Sequence, residues 1–179
     1  MTQYEIEEVL RKHKLWLNNE EGGKQANLRG ADLREVNLSG ANLGTADLRC
    51  ADLRGACLDG ADLRSADLRN ADLSNASMEG AKMHGTCLIA ANMTFAHLRG
   101  AVLFCADLRG ADLQWADFLD VDLRNADMRA ADLRGANLLD ATCFYAKMSD
   151  AKIHQTGMDN AALTKIQRDS LVIYADQPT

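Results

Sequence analysis

Residues 26–75 read ANLRG ADLRE VNLSG ANLGT ADLRC ADLRG ACLDG ADLRS ADLRN ADLSN. An apolar residue stands on every fifth position, at Leu28, Leu33, Leu38, Leu43, Leu48 and onward, and the beat runs to Leu163 without a slip. We call this position the centre. Across 26–165 every centre is Leu, Met, Phe or Ile except Cys143. Two residues before each centre stands Ala, replaced only by Val36, Thr86, Val121 and Thr156.

A period of five suits neither common element. On an α-helix each step of five turns the side chain by about 140°, which spreads the leucines over every face. On a flat strand, where side chains alternate with period two, successive centres would fall on opposite faces. The chain must therefore turn once per repeat to bring every centre back inside. The residue two after the centre supplies that turn. It is Gly at 30, 40, 55, 60, 80, 85, 100, 110 and 135, and Asn at 70, 75, 125 and 160. These residues tolerate the positive φ that a type II turn needs at its second central position.

Stretches such as Ala106-Asp107-Leu108-Arg109-Gly110 and Ala131-Asp132-Leu133-Arg134-Gly135 resemble the A(D/N)LXX signature of the pentapeptide-repeat family. The resemblance implies an all-β solenoid: a right-handed quadrilateral parallel β-helix with four pentapeptides per coil. The 28 repeats of 26–165 would then make about seven coils, stacked ~4.8 Å apart into a rod ~34 Å long. A twenty-residue spacing is visible in the residues themselves. Gly40, Gly60, Gly80 and Gly100 keep it, as do Arg29, Arg49 and Arg69, and the pairs Phe95/Trp115 and Leu119/Leu139.

A stack of parallel strands leaves unpaired backbone and bare core at its ends, so caps are expected. Residues 1–25 read as a capping helix and its link to the first coil. Thr2 and Glu5 have capping-box spacing, and Ile6, Val9, Leu10, Trp16 and Leu17 fall near one helical face. The alternative for this helix is an amphipathic partner-binding segment. Residues 166–179 form the tail, where Leu171-Val172-Ile173-Tyr174 either finishes the last coil or meets a second subunit, making a homodimer through an end of the rod.

Composition limits the function. A net charge of −6 argues against direct nucleic-acid binding, which normally needs a basic patch. The five cysteines are odd in number and show no CxxC pair, as in a reduced, cytoplasmic protein. No run approaches membrane-spanning length. The six methionines at centres (Met78, Met83, Met93, Met128, Met148, Met158) read as core filling rather than metal ligands. No nucleophile–base arrangement, phosphate loop or zinc spacing stands out, and no cofactor is implied; His13, His84, His97 and His154 are scattered.

The outside carries what information remains. With twenty residues per coil, the faces beginning 26–30 and 31–35 show columns of Asp beside columns of Arg, a self-neutralised solvated surface. The third face, 36–40 and its successors, holds Asp59, Glu79, Asp117, Asp120, Asp140 and Asp159 against Arg99 alone. It also carries Leu119 and Leu139, with Phe95 and Trp115 on the corner leading into it. Phe104, Phe144 and Tyr145 mark the fourth face. Phe95, Trp115, Leu119, Asp120, Leu139 and Asp140 are therefore the candidate surface for a protein partner. The expected function is a non-catalytic structural or protein-interaction module. The alternative is a DNA mimic that binds a type II topoisomerase, a role the resemblance implies through its quinolone-resistance members. This chain lacks an interrupting loop and an evident helical dimerisation tail, and Arg neighbours most of its Asp.

Overall fold

The computed structural model describes residues 1–153 and 172–173. Helix α1 spans Gln3–Leu17, β1 spans Lys152–Ile153 and β2 spans Val172–Ile173. Between α1 and β1 the chain forms no extended strand; it turns every five residues and pairs one residue per side with the coil above. Every such pair is parallel and twenty residues apart, from Asn27↔Asp47 to Asp132↔Lys152. The column through Asp32 continues past Lys152 to Val172, because β1 and β2 pair in the same register. The backbone of Val172–Ile173 thus carries the coil spacing beyond the point where the sequence motif stops. The expected end of the repeats at 165 and the rest of the 166–179 tail lie outside the described residues.

The hydrogen bonds of one repeat explain why the period is stable. In 106–110, the Ala106 N–H donates to Leu103 O at 2.9 Å and closes the preceding turn. The Asp107 N–H reaches back one coil to Thr86 O (3.0 Å), while the Leu108 and Gly110 N–H groups reach forward to Asp127 O (2.7 Å) and Arg129 O (3.0 Å). That leaves the Arg109 N–H, which donates to Asp107 Oδ1 at 3.3 Å. The fifth donor therefore depends on a side chain. Every described Asp or Asn just before a centre makes this bond to the residue just after it. An Asx side chain two residues upstream is the right length to hold such a turn.

The corner two residues after the centre has positive φ at every described repeat, whether or not it is Gly. Ala90 (55°), Phe95 (58°), Trp115 (59°) and Ala130 (58°) all occupy the left-handed region. An L-residue there costs about 1–2 kcal/mol. The forward hydrogen bond from that residue, such as Trp115 N–H to Arg134 O at 3.0 Å, offsets the strain.

Centres and their preceding Ala fill the interior, nearly all of them fully buried. Thr86 stands in an Ala position and stays satisfied by donating its hydroxyl to Leu63 O at 2.8 Å. The end of this core is covered by α1. The Thr2 and Glu5 capping box forms in both directions, and Glu8 pairs with Arg11 and Lys12 on the outer face. The inner stripe is Ile6, Val9, Leu10 and His13. Trp16, expected on that stripe, instead lies at its edge, 38% exposed and stacked on His13. The chain leaves the helix through Asn19 at φ 55° and passes Gly23, where a Cβ would lie 2.4 Å from Trp16 N.

Replacing Leu108 with Arg places an unpaired charge in the packed interior and should unfold the rod, costing more than about 4 kcal/mol. A Leu108→Arg protein with unchanged circular dichroism and melting temperature would contradict the interior assigned here. The cysteines give a second check. Cys50 and Cys105 are exposed corners, whereas Cys143 is buried and its burial, with Asp122 nearby, pushes its thiol pKa up to about 12. Thiol reagents at pH 8 should label Cys50 and Cys105 at once and Cys143 only after denaturation.

Candidate partner-binding surface

The outer surface is built on the same carboxylates that close the turns. Where Asp precedes the centre and Arg follows it, the guanidinium folds back onto the Asp of its own repeat. Arg109 donates from Nε to Asp107 Oδ1 (2.8 Å) and from Nη2 to Oδ2 (2.7 Å). The same fork joins Asp32–Arg34, Asp47–Arg49, Asp52–Arg54, Asp62–Arg64, Asp67–Arg69, Asp122–Arg124, Asp127–Arg129 and Asp132–Arg134. The guanidinium holds these carboxyls below their ordinary range, Asp47 at about 2. Pairing is therefore mainly within a repeat, with longer contacts such as Arg49 Nε to Asp67 Oδ2 (3.6 Å) linking coils. These exposed pairs stabilise little individually. They do cancel charge on the first, second and fourth faces.

No such fork forms on the third face among the described residues. Arg99 reaches across coils to Asp117 at 2.5 Å, and Asp117 also accepts from Leu119 N–H (3.2 Å) and Asn137 Nδ2 (2.9 Å). Asp59 is likewise occupied. Residue 77 is Ser, so the Glu79 N–H lacks an Asx acceptor in its own repeat and donates to Asp59 Oδ1 (2.9 Å), as does the Ser77 hydroxyl (2.5 Å). The acidity read from the sequence is thus smaller than its count of carboxylates: Asp59 and Asp117 serve internal hydrogen bonds, and Asp159 lies outside the described residues. Asp120 and Asp140 are exposed corners that form no ion pair among the described residues.

The six candidate residues do converge. Phe95 and Trp115 stand on adjacent coils of one corner, 52% and 51% exposed. Leu119 and Leu139 stack on the adjoining face, half-buried, each held by the same Asx turn that elsewhere presents Arg. Asp120 and Asp140 follow at the next corner, where the Asp120 N–H donates to Leu139 O at 3.1 Å. The Trp115 ring lies flat over Gly135 of the next coil; a Cβ there would sit 2.4 Å from Trp115 Cε3.

The fourth face carries a different stack. His84 and Phe104 have ring centroids 5.0 Å apart, and the Arg124 guanidinium carbon lies 5.5 Å from the Phe104 centroid. This ladder half-buries Phe104, while Phe144 and Tyr145 remain exposed. Among the described residues no group of three or more His, Cys, Asp or Glu side chains is placed to hold a metal ion, and no helix is long and apolar enough to cross a membrane.

A family model described as Pentapeptide repeats matches residues 26–64, 56–94, 88–120 and 116–155. Among solved structures, a pentapeptide repeat protein from the Arabidopsis thaliana thylakoid lumen is similar over 57% of this chain and 71% of its own, at 36% identity and a TM-score of 0.55. QnrB1, a plasmid-mediated fluoroquinolone resistance protein, is similar over 84% of this chain and 83% of its own at 15% identity and a TM-score of 0.53, a likeness of fold alone. No curated protein sequence matches the chain.

The seat of Trp115 can be tested without touching the tryptophan. Gly135→Ala should keep the fold, since Ala90 and Ala130 already hold the same corner conformation, at a cost of about 1 kcal/mol. The added methyl should lift the Trp115 ring and red-shift its emission. An unchanged Trp115 spectrum in a folded Gly135→Ala protein would show that the ring does not rest there.

Proposed function

The chain belongs to the pentapeptide-repeat family, whose fold is a right-handed quadrilateral β-helix, and from that premise we propose that it is a non-catalytic protein-interaction rod. The observation that carries this reading is an apolar strip in which Leu119 and Leu139 stand where Arg of a fork stands on other faces, flanked by the exposed corner residues Phe95 and Trp115. The first and second faces show water mainly a neutralised lattice of ion pairs, and the fourth face mixes such pairs with the exposed Phe144 and Tyr145. At Phe95, Trp115, Leu119 and Leu139 the rod shows apolar surface, bordered by Asp120 and Asp140. Aromatic anchors of this kind supply binding energy where they are desolvated, and an acidic rim favours a basic partner through orientation and encounter rate.

Free thiols at all five cysteines support a reducing, cytoplasmic setting. Topoisomerase binding by DNA mimicry is less well supported. Duplex-like columns of unpaired carboxylate would be needed, and most carboxylates on three faces are covered by Arg.

The test is the double variant Trp115→Ala with Leu119→Ser, which should leave the fold intact because neither residue is a centre. A partner captured by the wild-type chain and by an Arg109→Ser control should bind the double variant at least about tenfold more weakly. If the double variant keeps every partner, affinity and oligomeric state of the wild type, the corner is not the interface. Inhibition of gyrase supercoiling by wild type and double variant alike would instead support mimicry.

A further inference from the structure

The N-terminal edge of the first coil has the same donors and acceptors as every other coil but no coil beneath it. In the interior, the carbonyl after a fourth-face centre accepts from the preceding coil, as Arg64 O does from Thr45 N–H at 2.8 Å. The Ala N–H of each interior repeat donates to the centre carbonyl of the repeat before it, as Ala46 N–H does to Leu43 O. At Gly44 O and Ala26 N–H neither of these backbone bonds forms, although the Thr45 hydroxyl donates to Gly44 O at 2.6 Å. One side chain replaces both. His13, fully buried, accepts from Ala26 N–H at Nδ1 (3.0 Å) and lies 3.0 Å from Gly44 O at Nε2. Since Nδ1 accepts and a carbonyl oxygen cannot donate, Nε2 must carry the proton, and the ring is neutral.

We propose that His13 is a proton-operated latch: neutral, it fastens α1 onto the end of the rod, and on taking up a proton at Nδ1 it releases the helix and bares the first coil. A proton at Nδ1 meets the Ala26 N–H head-on, so the doubly protonated ring cannot keep both bonds. Burial adds to this by lowering the His13 pKa below its usual value, only partly opposed by the Gly44 hydrogen bond. Because the docked pKa lies below the undocked one, docking is strongest above pH 6.5. It weakens as pH falls below 6.5 and levels off once the docked ring itself is protonated.

The charged groups on the elements around the latch do not share this window. On α1, Glu8 is held at about 2 by Arg11 and Lys12, and the other charged side chains near the ring are Lys12 and Lys14. Lys24 lies in the link, where its backbone N–H donates to Lys12 O at 3.0 Å. Behind Gly44 on the second coil, Asp62 is kept below its ordinary range by Arg64. None of them bonds the ring.

Amide exchange of the full chain reads the latch directly. Protection of residues 6–17, corrected for intrinsic rate, should fall at least tenfold between pH 7.5 and 5.0 while the amides of Leu103 and Leu108 hold. His13→Gln should abolish the pH dependence of α1, leaving it equally protected or equally open at both pH values. In a Trp115→Phe background, Trp16 becomes the sole tryptophan, and its emission should change over the same interval as its stacking partner charges and departs. Unchanged α1 protection in the wild type, or the same fall in His13→Gln, overturns the proposal. Should His13→Gln not fold, imidazole NMR of the wild type decides. A His13 ring that is the Nε2–H tautomer at pH 8 and titrates below 6.5 supports the latch; one that titrates at or above 6.5 with α1 still protected refutes it.

Discussion

A backbone that turns after every five residues has little room for its own donors. Of the five N–H groups in a repeat, one closes the corner, one reaches the coil behind and two reach the coil ahead. The remaining N–H points where no carbonyl of the stack can meet it. An unpaired buried or half-buried amide costs about 1–3 kcal/mol, and the defect would recur in every repeat. The Asx side chain before the centre removes it, at Arg109 as at Leu119 and Leu139. The bond braces the corner that sends the chain to the next side and returns the next centre to the interior; repeats with Lys82, Cys87 or Val102 before the centre keep the same positive-φ corner without it, carried by the bonded coils on either side.

The surface chemistry is a by-product of the same constraint. A solenoid that needs an acceptor at each turn acquires a column of carboxylates ~4.8 Å apart, and such a column repels itself. Arg two residues later answers with a planar fork that reaches both oxygens without disturbing the turn, as in Asp127–Arg129. Two other solutions appear where Arg is absent. Asn in place of Asp, as at Asn137, closes the turn with no charge to neutralise. Ser77 hands the task to Asp59 of the previous coil. Once Asn closes the turn, the next residue no longer has to be Arg, and Leu139 occupies that freed position. At Leu139 the turn requirement and the charge requirement have come apart, whereas at Leu119 the Asp117 that closes the turn is paired with Arg99 of the coil behind.

The centres, the Ala beside them, the turning corner and the twenty-residue coil could all be read from the sequence, because each rests on periodicity alone. The convergence of Phe95, Trp115, Leu119 and Leu139 followed from the same spacing. What periodicity could not convey was the use of individual polar atoms. Counting Asp59 and Asp117 as surface charge overlooked that one accepts two hydrogen bonds from the coil above and the other is bonded on three sides. The signal for the Asx turn was present in the recurrence of Asp and Asn before the centre, but composition alone gives no direction to a side chain. His13 was missed for a related reason. It lies about 20° from Ile6 on a helical projection, whereas Trp16 lies about 80° away, so angle favoured the histidine and hydrophobicity favoured the tryptophan.

The ends of a solenoid are where its internal logic must be imitated by something else. A helix cannot present a ladder of carbonyls and amides in the coil's register, since its own groups are spent along its axis. It can only offer side chains, and most offer a donor or an acceptor at one point. Neutral imidazole offers one of each, on opposite edges of a rigid ring, which matches the missing backbone acceptor of Ala26 and the missing backbone donor of Gly44, whose oxygen also accepts from the Thr45 hydroxyl. Gln and Asn also carry both groups, but on one short amide, and neither titrates near neutrality. The choice of histidine therefore satisfies two backbone groups with one residue and ties the closure of the rod's end to the proton concentration around it.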